Sequence, residues 1–287
     1  MLFRSAYNCY QNTVAHDCFN ISFHQHYGLH PLKQRRHEKP ELKEKLYVCG
    51  FNGDFDSATP LYDFMCSRDL WTDQGRGSFP MTWGLNPNLM ESYPDIFAYL
   101  YETAAASDCF TADASMAGYF NPTRVQPQLW DTVIKHNKYF YEMADMTLSP
   151  MVLDWVEPSE EVLEKISQFS PDGMGLIAFD FHTKGCPCEQ APMEECPRLV
   201  NGMPYVKLIN TCCDSLSPEF HAEVLREHCE PQKTQFAILR NIWTKPSAYR
   251  EMYDKVRELM PEYDIEYVNA VQFFALVKEY VSRQETI

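Results

Sequence analysis

Acids, amides and indoles recur along the chain at the points where apolar runs stop. Asn52-Gly53-Asp54-Phe55-Asp56 follows the run 46–50, and Trp83, then Asn86, follows 80–82. Asp113 closes 109–112 and leads to Ser115 and Gly118-Tyr119. Asp154-Trp155 follows 151–153, Asp180 and then His182 follow 175–179, and Asn210 follows 205–209. Arg240, Asn241 and Trp243 come after 236–239. Carboxylates serve as acid, base or nucleophile, aromatic rings stack on sugar faces, and amides bond hydroxyls. Gathered on one rim, these are the groups a carbohydrate site needs.

Asp54 and Asp56 fall on the same side if the chain stays extended. Two like charges so placed raise one pKa and create a proton donor, or they hold a divalent cation. The same Asn-Gly-Asp run also reads as a turn with solvated acids. Asp154 and Asp180 are the candidates for an opposing carboxylate, with loop anchoring as the alternative for each. Trp83, Tyr119 and Trp155 are expected as sugar platforms, and Arg76, Asn86 and Asn210 as groups that position hydroxyls. Asp113, Ser115, Gly118, His182, Asn241 and Trp243 complete the expected substrate-binding set. His182 reads equally as an acid, a metal ligand or a loop hydrogen bonder. Neither Ser57 nor Ser115 stands in a G-x-S-x-G context, so a serine nucleophile is not expected. No cofactor is expected; the cation considered is a divalent ion at Asp54 and Asp56.

The elements that must position these groups alternate. Strand-like runs begin at Leu46, Pro80, Cys109, Met151, Gly175, Tyr205, Phe236 and Ile265. Helical periodicity separates most of them, as in Ile96, Phe97, Leu100 and Ala104, or Tyr249, Met252, Tyr253, Val256 and Met260. Ser217-Pro218-Glu219 is a good helix start. Such βα units predict an α/β fold with a parallel sheet, and seven or eight of them predict a TIM-like (β/α) barrel, distorted or incomplete. In such a barrel the strands' C-terminal ends form the active rim. The barrel is expected over 46–287, with 1–45 as an N-terminal appendage. The segment 20–24 alternates as a strand would.

Three stretches carry a resemblance: 51–58, 76–87 and 108–122. They resemble the GxGYxYP family of glycoside hydrolase-like proteins, and the sequence around 236–240 and 267–274 is similar to that family's closing strand and helix. The likeness runs over about residues 10–287 and corresponds to the family's C-terminal barrel-like domain, without the N-terminal domain of longer members. Gly118, Tyr119 and Pro122 match the signature, while Met116 stands at its first glycine and Asn121 at its second tyrosine. The resemblance implies carbohydrate as the substrate class more than hydrolysis as the reaction. Gly118 also permits positive φ beside a pocket, where Tyr119 offers a rigid ring.

The 287 residues carry 25 Lys+Arg against 40 Asp+Glu, a formal charge of −15. That balance argues against a nucleic-acid or membrane-surface binder. No G-x-G-x-x-G or Walker motif follows any strand. No run suits a membrane span or a signal peptide, so a cytoplasmic setting is the expectation. Of 11 cysteines, Cys49 and Cys109 read as buried strand thiols, while Cys186, Cys188 and Cys196 crowd one stretch without paired zinc spacing. The leading expectation is a glycoside hydrolase with paired carboxylates, acting on an oligosaccharide or polysaccharide. A metal-dependent carbohydrate deacetylase or hydrolase, and a non-catalytic glycan-binding domain, are the alternatives.

Overall fold

The computed structural model describes residues 20–66, 69–154, 156–178, 196–208 and 217–285. Trp155, Asp180, His182 and Asn210 lie outside them, as do Cys186 and Cys188. Within them the expected alternation is present. It begins with a short helix α1 (Ile21–His24), β1 (Leu46–Phe55), β2 (Met81–Leu85) and α2 (Pro94–Thr103). There follow β3 (Asp108–Ala112), α3 (Trp130–Ala144), β4 (Leu148–Asp154), α4 (Glu160–Ser167) and β5 (Gly173–Ala178). The chain continues with β6 (Arg198–Val200), β7 (Met203–Lys207), α5 (Pro218–His228), β8 (Gln235–Ile242), α6 (Pro246–Leu259), β9 (Ile265–Val268) and α7 (Ala270–Gln284).

The strands form two sheets, and among the described residues no closed barrel is present. The first runs β3-β2-β1-β8, with β9 also on β1; the second runs β4-β5-β7-β6. All pairings are parallel except the β6–β7 hairpin. A strand has two edges, and β8 lines one edge of β1 from Leu46 to Gly53. The other edge is therefore shared, with β9 along Leu46–Cys49 and β2 from Phe51 onward.

Side chains bridge the gap between the sheets. Ser115 Oγ accepts from Leu153 N at 2.7 Å, and Asn121 Nδ2 donates to Leu153 O at 2.9 Å. Lower down, the Gln34 amide both donates to Phe110 O and accepts from Phe110 N, each at 2.8 Å. Gln34 thus presents an amide to the β3 edge much as a neighbouring strand would.

Alternation along each strand sorts the core. Tyr47, Cys49 and Phe51 of β1, Cys109 of β3, Met151 of β4, Ile177 of β5, Val206 of β7 and Ile238 of β8 share a cluster with Phe273 and Phe274 of α7. Residues of opposite parity, such as Val48, Trp83, Phe110, Val152 and Leu239, belong to the larger cluster with the helices. Strands buried on both faces read as continuous apolar runs, which is why they were recognisable. Cys49 and Cys109 are buried and free, as their runs predict.

Two local expectations are corrected. Residues 20–24, read as a strand, hold α1, whose His24 packs on Tyr93 and pairs with Asp95 at 2.8 Å. The hairpin β6–β7 was not anticipated, although Asn201-Gly202 marks it: φ values of 48° and 78° make the two-residue turn that favours this dipeptide.

Candidate active site

β1, β3 and β8 deliver the charged groups to one end of the first sheet. β1 ends in an irregularity, its register with β2 shifting between Asn52 and Phe55, and Asp54 has φ 68°. The chain is therefore not extended through Asp54, and it is this turn that sets Asp54 and Asp56 side by side. Asn86 holds the turn from β2: its Nδ2 donates to Asp56 O at 3.0 Å and its Oδ1 caps the following turn at Asn88 N. The amide expected to meet sugar hydroxyls is thus committed to positioning Asp56.

Asp113 lies just past the end of β3, wholly buried. Its carboxylate accepts from Phe55 N and Ala114 N, both at 2.7 Å. The space exists because two neighbouring strand positions are glycine. A Cβ on Gly84 would stand 2.4 Å from the Phe51 ring and 2.9 Å from the Asp113 carboxyl carbon; one on Gly53 would stand 2.5 Å from the same ring.

Arg240 supplies the countercharge. It is 7% exposed on β8 and its guanidinium is bonded to the Asp54 carboxylate. Sequence reading passed over Arg240 in favour of Asn241, and strand parity decides between them. Arg240 shares the inward parity of Ile238, whereas Asn241 faces the helices, meeting Tyr253 and His221. That alternation was present in the sequence and was the signal available.

The electrostatics separate the acids. Burial, then the neighbouring Asp54 charge, push Asp56 up to about 6, against an ordinary 3.8. Burial first, then Asp56 and Asp54, raise Asp113 well above the usual carboxylate range. Arg240 opposes both shifts. The group therefore sets an acid that keeps its proton up to about pH 6, and a second raised well above the usual range, beside an ion-paired carboxylate.

Aromatic groups stand at the rim. Trp243 is 39% exposed, its Nε1 donates to Asp54 O at 3.0 Å, and its ring meets Phe64 edge-on at 4.2 Å. Asn52 fixes the approach: its amide bonds both backbone groups of Thr244, at 2.9 and 3.1 Å. Gly118 takes φ 116° and presents Tyr119, which is 54% exposed. Burial of its hydroxyl, then Asp56, Asp54 and Asp113, push Tyr119 up to about 12.

Other expected site residues lie elsewhere or have other work. Trp83 is wholly buried, packs on Trp71 and donates to Asp108 at 3.2 Å, so it is core and not a sugar platform. Arg76 sits at the opposite end of the strands, stacked on Trp71 and paired with Asp108 at 3.3 Å. Asp154 has outward parity and anchors the loop at Thr123 through both its oxygens. Ser115 bridges the sheets. Among the described residues no three His, Cys, Asp or Glu side chains converge as a metal ion needs.

Residues 44–278 match the family described as GxGYxYP putative glycoside hydrolase C-terminal domain. The chain belongs to this family. The matched range holds Tyr119 and also Asn121, which bonds to Leu153 of β4. No curated protein matches the chain. Among solved structures, a putative hydrolase from Bacteroides thetaiotaomicron superposes with a TM-score of 0.70 at 16% identity, over 91% of this chain and 51% of that one. This chain thus spans about half the length of that protein, and the likeness shows a shared fold. A Bc1960 peptidoglycan N-acetylglucosamine deacetylase gives a TM-score of 0.40 at 11% identity, over 83% of this chain and 91% of that one. A family 4 carbohydrate esterase, PdaA of Bacillus subtilis, gives 0.39 at 9%, over 88% of each chain. Among the described residues no helix is long and apolar enough to cross a membrane.

Proposed function

We propose that this domain hydrolyses glycosidic bonds, with Asp56 as the proton donor and Asp54 as the opposing carboxylate. The observation that carries the reading is the contrast between them: Asp56 is pushed up to about 6, while Asp54 is ion-paired to Arg240. Two carboxyls with separated roles are what glycoside hydrolysis requires. Asp56 gives its proton to the glycosidic oxygen as the bond to the anomeric carbon breaks. The Asp54 carboxylate answers the positive charge that develops on the sugar; water then adds to the anomeric carbon and gives up its proton to the Asp56 carboxylate, restoring the acid. Trp243 and Tyr119 supply stacking faces beside the acids. Membership of the family supports a glycan substrate.

The test is a screen of labelled oligosaccharides with the wild-type chain and Asp56→Asn, each with and without a chelator. Turnover by the wild type, insensitive to chelator and lost in the variant, is expected. Turnover abolished by chelator would instead indicate metal-dependent deacetylation or hydrolysis. Binding without turnover would indicate a glycan-binding module.

A further inference from the structure

We propose that Asp113 is a positioning residue for the acid pair: from the end of β3 it clamps the peptide between Asp54 and Phe55, and so holds Asp54 and Asp56 side by side. The inference rests on the hydrolase reading above and deepens it. Sequence reading places Asp113 among the substrate-binding residues. It is wholly buried, however, and both its carboxyl oxygens are taken, Oδ2 by Phe55 N and Oδ1 by Ala114 N, each at 2.7 Å. A sugar does not reach it, so its contribution to the reaction passes through its neighbours. Asp113 is itself fixed. Its N–H donates to Leu85 O of β2 at 3.1 Å and its carbonyl accepts from Met116 N at 2.8 Å. Gly53 and Gly84 leave the carboxyl little room to move: a Cβ on either would stand 3.1 Å from Oδ1.

The clamped peptide needs holding. Asp54 takes φ 68°, which a residue with a Cβ keeps only where its surroundings fix it. The carbonyl of that peptide accepts from Trp243 Nε1 at 3.0 Å, and its N–H is the one given to Asp113. Both ends of the peptide plane are thus held, from the end of β8 on one side and the end of β3 on the other. Asn86 takes over further along, bonding Phe55 O at 3.3 Å and Asp56 O at 3.0 Å. Without Asp113 the buried Phe55 N–H loses its acceptor, and the turn must shift to find another. Such a shift moves Asp54 and Asp56 relative to one another, and a displacement of about 1 Å in a reacting group costs up to about 100-fold in rate.

The experiment compares the wild-type chain, Asp113→Ala, Asp113→Asn, Asp56→Asn and the double variant Asp56→Asn/Asp113→Ala. Each is assayed for turnover of a labelled oligosaccharide, and the aspartate carboxyls of the chains that keep Asp56 are titrated by 13C NMR. Asp113→Ala should lower kcat by about tenfold or more and leave KM within about threefold. The Asp56 midpoint, near 6 in the wild type, should fall toward 3.8 as the turn opens to water. The double variant should be no slower than Asp56→Asn alone, because Asp113 acts through the group already lost. Asp113→Asn keeps one acceptor oxygen, should fall between Asp113→Ala and the wild type, and carries the test if Asp113→Ala does not fold. Full kcat, a loss carried by KM, an unmoved Asp56 midpoint, or losses that multiply in the double variant would overturn the inference and leave the hydrolase reading standing. No turnover by the wild type would sink that reading, and the Asp56 titration would then decide by itself whether Asp113 holds the turn.

Discussion

The Arg240 guanidinium on β8 is bonded to the Asp54 carboxylate at the end of β1, across the strand pair whose register runs from Leu46 to Gly53. Asp56 and Asp113 share the same neighbourhood, and both are raised above the ordinary carboxylate range. The division of labour proposed for the acids follows from this pairing.

Asp56→Asn should lower turnover by about 100-fold or more, the usual scale for losing a positioned general acid. In the wild type, activity should fall as pH rises through about 6, because Asp56 then loses the proton it donates. A kcat profile flat from pH 5 to 8 would remove Asp56 from that role.

The same group makes a prediction about stability. The unfolded chain releases this proton near 3.8 and the folded chain only near 6, so stability should fall as pH rises between these values and level off above. Asp56→Asn should therefore stabilise the fold at pH 7–8, by about 1–3 kcal/mol, and gain little at pH 4. Urea titrations at the two pH values check this, and a variant equally stable or less stable at both would contradict it.

Arg240→Ala removes the partner of the Asp54 carboxylate and the charge that opposes the Asp56 shift. It should cost about 2–4 kcal/mol of stability and move the loss of activity near pH 6 to higher pH. Arg240→Lys keeps the charge but loses the planar fork, so it should recover stability more fully than activity. Denaturation curves and pH–rate profiles of both variants distinguish these outcomes.

Trp243→Ala should raise KM by about tenfold and leave kcat within about threefold, as removal of a stacking face does. Asn52→Ala should reproduce that KM change and add about 1–3 kcal/mol of destabilisation, because Thr244 then loses both amide partners. Steady-state kinetics with one labelled oligosaccharide suffices. If kcat carried the whole loss for Trp243→Ala, the ring would not be a binding platform.

Gly84→Ala places a methyl group into the Phe51 ring and the Asp113 carboxyl. It should cost about 1–3 kcal/mol and reduce turnover, with Asp113 displaced. Retention of full activity and stability would show that the interior has room that the geometry denies.

Several of these features were legible beforehand. The parallel strands are buried on both faces and read as unbroken apolar runs, so β1, β3, β8 and β9 stood out. Helix caps were equally plain, as at Ser217, whose Oγ accepts from Phe220 N. Misjudged residues share a cause. Trp83 and Asn241 follow short apolar runs, where a polar or aromatic residue invites a functional reading, but Trp83 lies in the middle of β2 and both point outward by parity. Arg240, one step from Asn241, points in.

The sequence by itself determined the α/β class, the alternation of strands and helices from β1 to β5 and the family, because local periodicity and short motifs are properties of neighbouring residues. It also indicated that acids and aromatics collect at strand ends. Tertiary structure alone decided that the strands divide into two sheets, and that Ser115, just past β3, bonds Leu153 of β4 between them. It alone joined Asp54 to Arg240, 186 residues apart, and buried Asp113 in the space left by Gly53 and Gly84. Charge pairing and burial arise from contacts between distant segments, and a pattern of neighbours does not contain them.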